Sequence, residues 1–214
     1  MLVGERMSRH PITIQEDEGV EDALKLMREQ KVRRLPVLDK KGKLVGIVSE
    51  KDLLYASPSP ATTLSIYELH YLLSKLQVHE VMTREVITVT EFTPIEEAAR
   101  ILVDHKIGGL PVMRGETLVG IITETDLFKI FLELLGAREK GVRLTVLIPE
   151  HKGMLAAMTQ AIAEAGGNII ALGTFLGDDP TNRLIACKVA GVSKDTLLRA
   201  LKPIALEILD VREM

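Results

Sequence analysis

The 214-residue sequence has no Trp, only three Tyr and four Phe, and a single cysteine. A core must therefore come from Leu, Ile, Val, Ala and Met, and rows of aromatic rings that stack single-stranded nucleic acid are excluded. One cysteine cannot close an internal disulfide or build a thiolate metal cluster. In the apolar run 184–189, Cys187 reads as a buried, inert thiol of a reducing compartment. An excess of one charge is lacking too. The net charge of −3 divides into 19 basic against 22 acidic residues over 1–140 and eight against eight over 141–214, so neither part is a polyanion-binding surface. No apolar run reaches the roughly 20 residues of a membrane span, because Gly166, Gly167 and Asn168 interrupt the least charged stretch, 153–176. Residues 1–10 carry Glu5, Arg6 and Arg9 where a signal peptide would be apolar. A cytoplasmic protein with neither nucleic acid nor membrane as partner is expected.

Hydrophobic residues make up 46% of the chain and Gly plus Pro only 16 and 9 residues, the composition of a chain that buries a core. Its first two thirds are duplicated. Residues 7–39 match 82–114 at 11 of 33 positions, and 43–53 match 117–127 at seven of 11. Each copy opens on a β-prone run (Ile12, Thr13, Ile14; Ile87, Thr88, Val89). Apolar residues at helical spacing follow: Val20, Ala23, Leu24 and Met27, then Ile95, Ala98, Ala99 and Leu102. Two apolar runs around a turn come next, 35–38 with 44–48 and 110–113 with 118–122, and a helix closes each copy from Glu50 and from Glu124. Between the copies, 64–76 predicts an amphipathic helix with Leu69, Leu72, Leu73 and Leu76 on one face. From Gly141 the pattern becomes βαββαβ, with strands over 143–148, 168–175, 184–189 and 204–211 and helices over 155–165 and 193–201. Ser193 is the expected N-cap of the second helix.

No catalytic constellation emerges. The five histidines lack metal-ligand spacing, and no phosphate-binding Gly loop or nucleophile elbow is present, so neither an enzyme nor a metal site is expected. The informative element is Gly46-Ile-Val-Ser49-Glu-Lys-Asp52 and its copy Gly120-Ile-Ile-Thr123-Glu-Thr-Asp126. A hydroxyl at a strand-to-helix junction with an acid three residues on is close to a capping box. It also presents N–H groups and a hydroxyl to an anion, beside a carboxylate that can accept ribose hydroxyls. Repeated twice, it suggests a nucleotide.

These motifs, with Leu35-Pro36-Val37 and Leu110-Pro111-Val112, resemble a tandem pair of CBS domains, a Bateman module. Residues 148–155 and Gly167-Asn168-Ile169 resemble an ACT domain, and the order of the parts resembles the acetoin-utilisation regulatory proteins. The resemblance implies an α+β fold: CBS domains over 1–60 and 79–138 packed as a pseudo-twofold pair, a connecting helix over 61–78, and a ferredoxin-like ACT domain over 141–214.

It further implies a non-catalytic sensor taking AMP, ADP, ATP or a related adenosyl ligand in the clefts between the CBS domains. Asp52 and Asp126 would hold ribose, Ser49 and Thr123 would touch phosphate, and Ile12, Thr13, Ile87 and Thr88 would line the base, with Pro36 and Pro111 among the contacts. Arg33 and Arg34 would meet phosphate in one cleft, where the other offers only Gly108 and Gly109, so the first is expected to bind more tightly. At the ACT domain, Gly153, Met154, Leu155, Asn168 and Ile169 would take a small effector such as an amino acid. A homodimer or larger even assembly and a regulated enzyme partner complete the expectation. The alternatives are a dimerisation scaffold with empty clefts and an enzyme subunit that uses the inter-domain cleft.

Overall fold

Each repeat folds as its apolar pattern predicts, yet each completes its core with a segment that belongs, in sequence, to the other. A computed structural model describes residues 1–56 and 75–214. It contains two units, Met1–Leu127 and Phe128–Met214. Most of the predicted connecting helix, including Leu69, Leu72 and Leu73, lies outside the described residues.

The first unit begins with α1 (Val3–Arg6) and β1 (Ser8–Arg9), followed by β2 (Ile14–Gln15), α2 (Val20–Gln30), β3 (Arg34–Leu38), β4 (Leu44–Ser49) and α3 (Glu50–Ala56). The second copy repeats the order with α4 (Val78–Val81), β5 (Val89–Thr90), α5 (Ile95–His105), β6 (Gly109–Arg114), β7 (Thr117–Thr123) and α6 (Glu124–Leu134). Val20, Ala23 and Met27 turn one stripe of α2 inward, and Ala98 and Leu102 do so in α5. Both helices stop on a lysine in the left-handed conformation, Lys31 at φ 55° and Lys106 at φ 54°. In each, the following residue's N–H returns to the last turn.

The exchange is visible in the sheets. The first repeat forms β2-β3-β4, whereas the second forms β1-β7-β6-β5, its edge supplied by the chain's own start. Ser8 lies opposite Ile121 and Arg9 opposite Gly120. In the mirror arrangement Thr83 exchanges both backbone hydrogen bonds with Ile47, at 2.9 and 3.0 Å. Val3 and Met7 are accordingly buried in the second repeat's core with Leu110, Val112 and Ile122, and Val78 and Met82 in the first with Leu35, Val37 and Val48. Two glycines make this possible. A Cβ on Gly46 would sit 2.3 Å from Met82 Sδ, and one on Gly120 would sit 2.4 Å from Met7 Sδ. Met7 and Met82, which the duplication aligns, thus each pack in the other copy's core.

The second unit holds β8 (Val142–Pro149), α7 (Met154–Glu164), β9 (Asn168–Leu176), β10 (Asn182–Ala190), α8 (Lys194–Leu201) and β11 (Glu207–Glu213). Its antiparallel sheet has the order β11-β8-β10-β9, so this is the expected ferredoxin-like βαββαβ arrangement. Inward-facing Leu144, Val146, Ile185, Cys187 and Val189 meet Met158 and Ile162 of α7 and Leu197 and Leu201 of α8. Ser193 caps α8, its Oγ accepting from the Thr196 N–H at 3.3 Å. The last strand starts at Glu207 and not at Ile204, because Ile204 donates back to the Leu201 carbonyl in a closing turn. On the sheet, buried Lys188 runs its Nζ to the carbonyls of Gly136 and Glu139, at 2.9 and 2.7 Å, satisfying acceptors beyond the end of α6.

Burial pushes the Cys187 thiol up to about 11 from an ordinary value of 9.0. Native protein at pH 8 is therefore expected to resist thiol reagents, which need the thiolate, and to react stoichiometrically in urea; a colorimetric thiol assay reads both. The raised value favours the protonated folded state, so this site's contribution to stability is complete below pH 9 and lost as pH rises from 9 to about 11.

Candidate ligand cleft

Where the two repeats meet, the first unit contains a cleft of about 500 Å³ lined from both. The first repeat contributes Arg33, Arg34, Ile47 and the junction 49–52; the second contributes Thr83, Glu85, Val86, Ile87, the stretch 106–109 and Glu124. Ile47, Val86, Ile87 and Ile107 give it an apolar side. Four cations (Arg33, Arg34, Lys51, Lys106) face four anions (Glu50, Asp52, Glu85, Glu124), so the site has no bulk charge and selects by placement. Such a lining suits a flat apolar body carrying polar and charged groups at one end.

The Ser49–Asp52 pair forms a complete capping box. Asp52 Oδ2 accepts from the Ser49 N–H at 2.8 Å and from its hydroxyl at 2.6 Å, while the Asp52 N–H donates to Ser49 Oγ at 3.3 Å. The Glu50 N–H is taken by the Arg33 carbonyl at 3.0 Å. The expectation of several unoccupied N–H groups at this helix start is thereby corrected, since two of them have internal partners. Asp52 is fixed by one oxygen, which orients the other. Thr123 and Asp126 repeat the geometry at 3.1 and 2.7 Å, with Asp126 only 7% exposed.

Arg34 differs from every other cation of the cleft in its burial. Its side chain is 25% exposed and reaches over Gly108 to within 3.9 Å of Glu124. Burial pushes the guanidinium below its ordinary range, Glu124 pulls it back, and neighbouring Arg33 opposes that pull. Gly108 is what permits the crossing, because a Cβ there would stand 1.8 Å from the Arg34 nitrogen.

Of the expected nucleotide-binding residues, Arg33, Arg34, Ser49, Asp52 and Ile87 line this cleft together. Ile12 packs on the first repeat's core with Thr13 beside it, and Thr88 is exposed. Pro36 and Pro111 are buried in β3 and β6 opposite Ile47 and Ile121. Arg33, Arg34, Gly108 and Gly109, divided between two clefts in the sequence reading, all line this one. Sequence reasoning missed Lys106, Glu124 and the 83–86 segment as cleft residues; the strand exchange brings that segment beside Ile47.

In the second unit, Gly153 is the left-handed N-cap of α7 at φ 90°, and Met154 and Leu155 form its first turn. Asn168 and Ile169 open β9 opposite Ala190 and Val189, which places them at the other end of the sheet from Gly153. Within one chain these five residues form two groups separated by the length of α7.

Among the described residues, no group of three or more His, Cys, Asp or Glu side chains is arranged to hold a metal ion. Nor is any described helix long and apolar enough to cross a membrane.

Two pseudo-symmetric β-α-β-β-α repeats enclosing a mixed polar and apolar cleft define the class: a tandem pair of ligand-pocket modules. The chain belongs to the CBS-domain family, whose model matches residues 3–59 and 78–133. A CBS domain-containing protein of Dictyostelium discoideum is 34% identical over 139 residues, 63% of this chain and 94% of that protein. A Vibrio cholerae protein assigned to acetoin utilisation (AcuB) has a similar structure, with TM-score 0.53 and 36% identity over 65% of this chain and 96% of its own. CBSX2 crystallised with AMP gives 0.51 and 34% over 61% and 96%. The CBS pair of protein MJ0100 with methylthioadenosine and S-adenosyl-L-methionine gives 0.52 and 29% over 65% and 98%.

Proposed function

We propose that this chain is a non-catalytic regulatory protein of the cytoplasm that senses an adenine nucleotide, AMP, ADP, ATP or a related adenosyl ligand, in the cleft of its CBS pair. The observation that carries the reading is the fixed Asp52 carboxylate beside an apolar wall that includes Ile87, with the half-buried Arg34 in the same cleft. Relatives of similar fold that were crystallised with AMP or with adenosyl compounds support it. Asp52 Oδ1 accepts the ribose hydroxyls, Ile87 flanks the base and Arg34 meets phosphate. The Ser49 hydroxyl proton is already given to Asp52, so Ser49 positions the carboxylate and the cations take the phosphate. Thr123 and Asp126, with Ile12, Thr13 and Thr88, serve the same chemistry at the pseudo-symmetric position. Occupancy acts by differential affinity for two arrangements of the protein, which a regulated enzyme partner reads. The C-terminal unit acts as an ACT domain whose Gly153 loop and Asn168 end take an amino acid between two chains of a homodimer.

The test is to heat-denature purified protein, identify released nucleotide by mass spectrometry, and titrate AMP into wild type and Asp52→Asn. Nucleotide release and an affinity loss of about one to two decades in the variant are expected. Nothing released and no AMP binding would leave a scaffold with empty clefts, and steady turnover of nucleotide would make the chain an enzyme subunit.

A further inference from the structure

A half-buried guanidinium ordinarily spends its donors on a carboxylate in a two-pronged hydrogen bond. Even the exposed Arg114 forms one with Glu91, at 2.6 and 2.8 Å. Arg183 does so with Glu150, at 2.8 and 3.1 Å. Arg34 does not: among the described residues the only carboxylate within 4 Å of it is Glu124, at 3.9 Å, too long for a hydrogen bond, and Asp52 acts on it only through space. Its donors thus face the cleft only loosely engaged, and the carboxylate holding them is itself part of the cleft wall and 56% exposed. The other cations of the cleft, Arg33, Lys51 and Lys106, stand exposed at its rim, where solvent screens them.

Resting on the nucleotide reading above, we propose that Glu124 is the specificity-determining residue that sets how many phosphates the cleft accepts. Without ligand it parks Arg34. When a phosphate arrives, Arg34 turns its donors to that group and Glu124 is left beside it as an uncompensated anion. One phosphate is matched by one guanidinium. A second or third must lie against the Glu124 carboxylate, and like charges a few ångströms apart in a partly desolvated site repel strongly. The cleft therefore favours a monophosphate over a di- or triphosphate, and Glu124 is the cause.

The experiment is calorimetry of AMP, ADP and ATP, without divalent cation, on wild type, Glu124→Gln and Glu116→Gln. The last makes the same net-charge change at an 88% exposed residue paired with Lys43 and outside the cleft. Wild type is expected to prefer AMP. In Glu124→Gln the ATP-to-AMP affinity ratio should rise about tenfold or more, and in Glu116→Gln it should stay within about twofold. An equal ratio in wild type and Glu124→Gln overturns the proposal. So does an equal rise in both variants, which would be a whole-molecule charge effect. If wild type binds no adenine compound, the nucleotide reading fails on its own, and phosphate against pyrophosphate, followed at the Arg34 side-chain nitrogens by NMR, decides the role of Glu124. A pyrophosphate preference gained only in Glu124→Gln supports it, and an unchanged preference overturns it.

Discussion

Gly46→Ala and Met82→Ala are each expected to destabilise the first unit, and the double variant is expected to be more stable than the sum of the two losses allows. The first substitution forces a Cβ to within 2.3 Å of Met82 Sδ and 2.9 Å of its Cγ, while no backbone atom is among its three nearest neighbours. Overpacking of this kind costs about 1–3 kcal/mol, moderated here by the flexibility of a methionine. The second empties a core site that is 8% exposed in the native chain, at a cost of about 2–5 kcal/mol. Together they refill part of the hole with the new methyl, so a favourable coupling of about 1–2 kcal/mol should remain. Gly120 and Met7 form the mirror pair with a smaller coupling, because the Ser8 carbonyl at 3.0 Å still meets the new Cβ after Met7 is shortened. Urea unfolding of the four-member cycle measures both. Additivity to within about 0.5 kcal/mol would mean that Met82 does not pack on Gly46, and the exchange of opening segments would fall with it.

Why the exchange was not legible in the sequence follows from the duplication. Met7 and Met82 occupy equivalent positions, so an alignment of the copies is satisfied whether each methionine packs in its own repeat or in the other. What decides between the two are pairings such as Ser8 with Ile121, Thr83 with Ile47 and Leu2 with Pro94, which are long-range contacts with no local pattern. Features encoded within a few residues fared differently. The stripes of α2 and α5, the starts of α3 at Glu50 and α6 at Glu124, and the Ser49–Asp52 and Thr123–Asp126 pairs all depend on spacings of three or four. The cleft combines both kinds of information. Ser49 and Asp52 were legible as a local motif, whereas Lys106 joins them only because the second repeat packs against the first. In the C-terminal unit, Gly153 and Asn168 each carry turn chemistry, but the 11-residue helix between them spans about 16 Å, so one chain cannot bring both to one ligand.

Arg34→Ala is expected to weaken AMP binding by about one to two decades while leaving adenosine nearly unchanged, and Arg33→Ala is expected to do much less. The two arginines are indistinguishable in sequence, since both precede the Leu-Pro-Val step. The structure separates them. Arg33 is exposed, so salt screens whatever it contributes; Arg34 is three-quarters covered and pushed below its ordinary range by burial, so a phosphate supplies what its surroundings withhold. A charge-assisted hydrogen bond of this kind is worth about 1.5–3 kcal/mol, which is the expected loss. Because Arg34 is paired with Glu124 before the ligand arrives, part of the gain is spent on breaking that 3.9 Å contact, and the lower half of the range is the better expectation. Calorimetry with AMP and adenosine on wild type and on the two single variants measures the difference. Raising the ionic strength should weaken AMP binding in wild type and do so less in Arg34→Ala, because the variant has lost the contact that salt competes for. Equal losses for AMP and adenosine would mean that the side chain shapes the cleft without touching phosphate, and a larger loss in Arg33→Ala would transfer the role to the exposed residue.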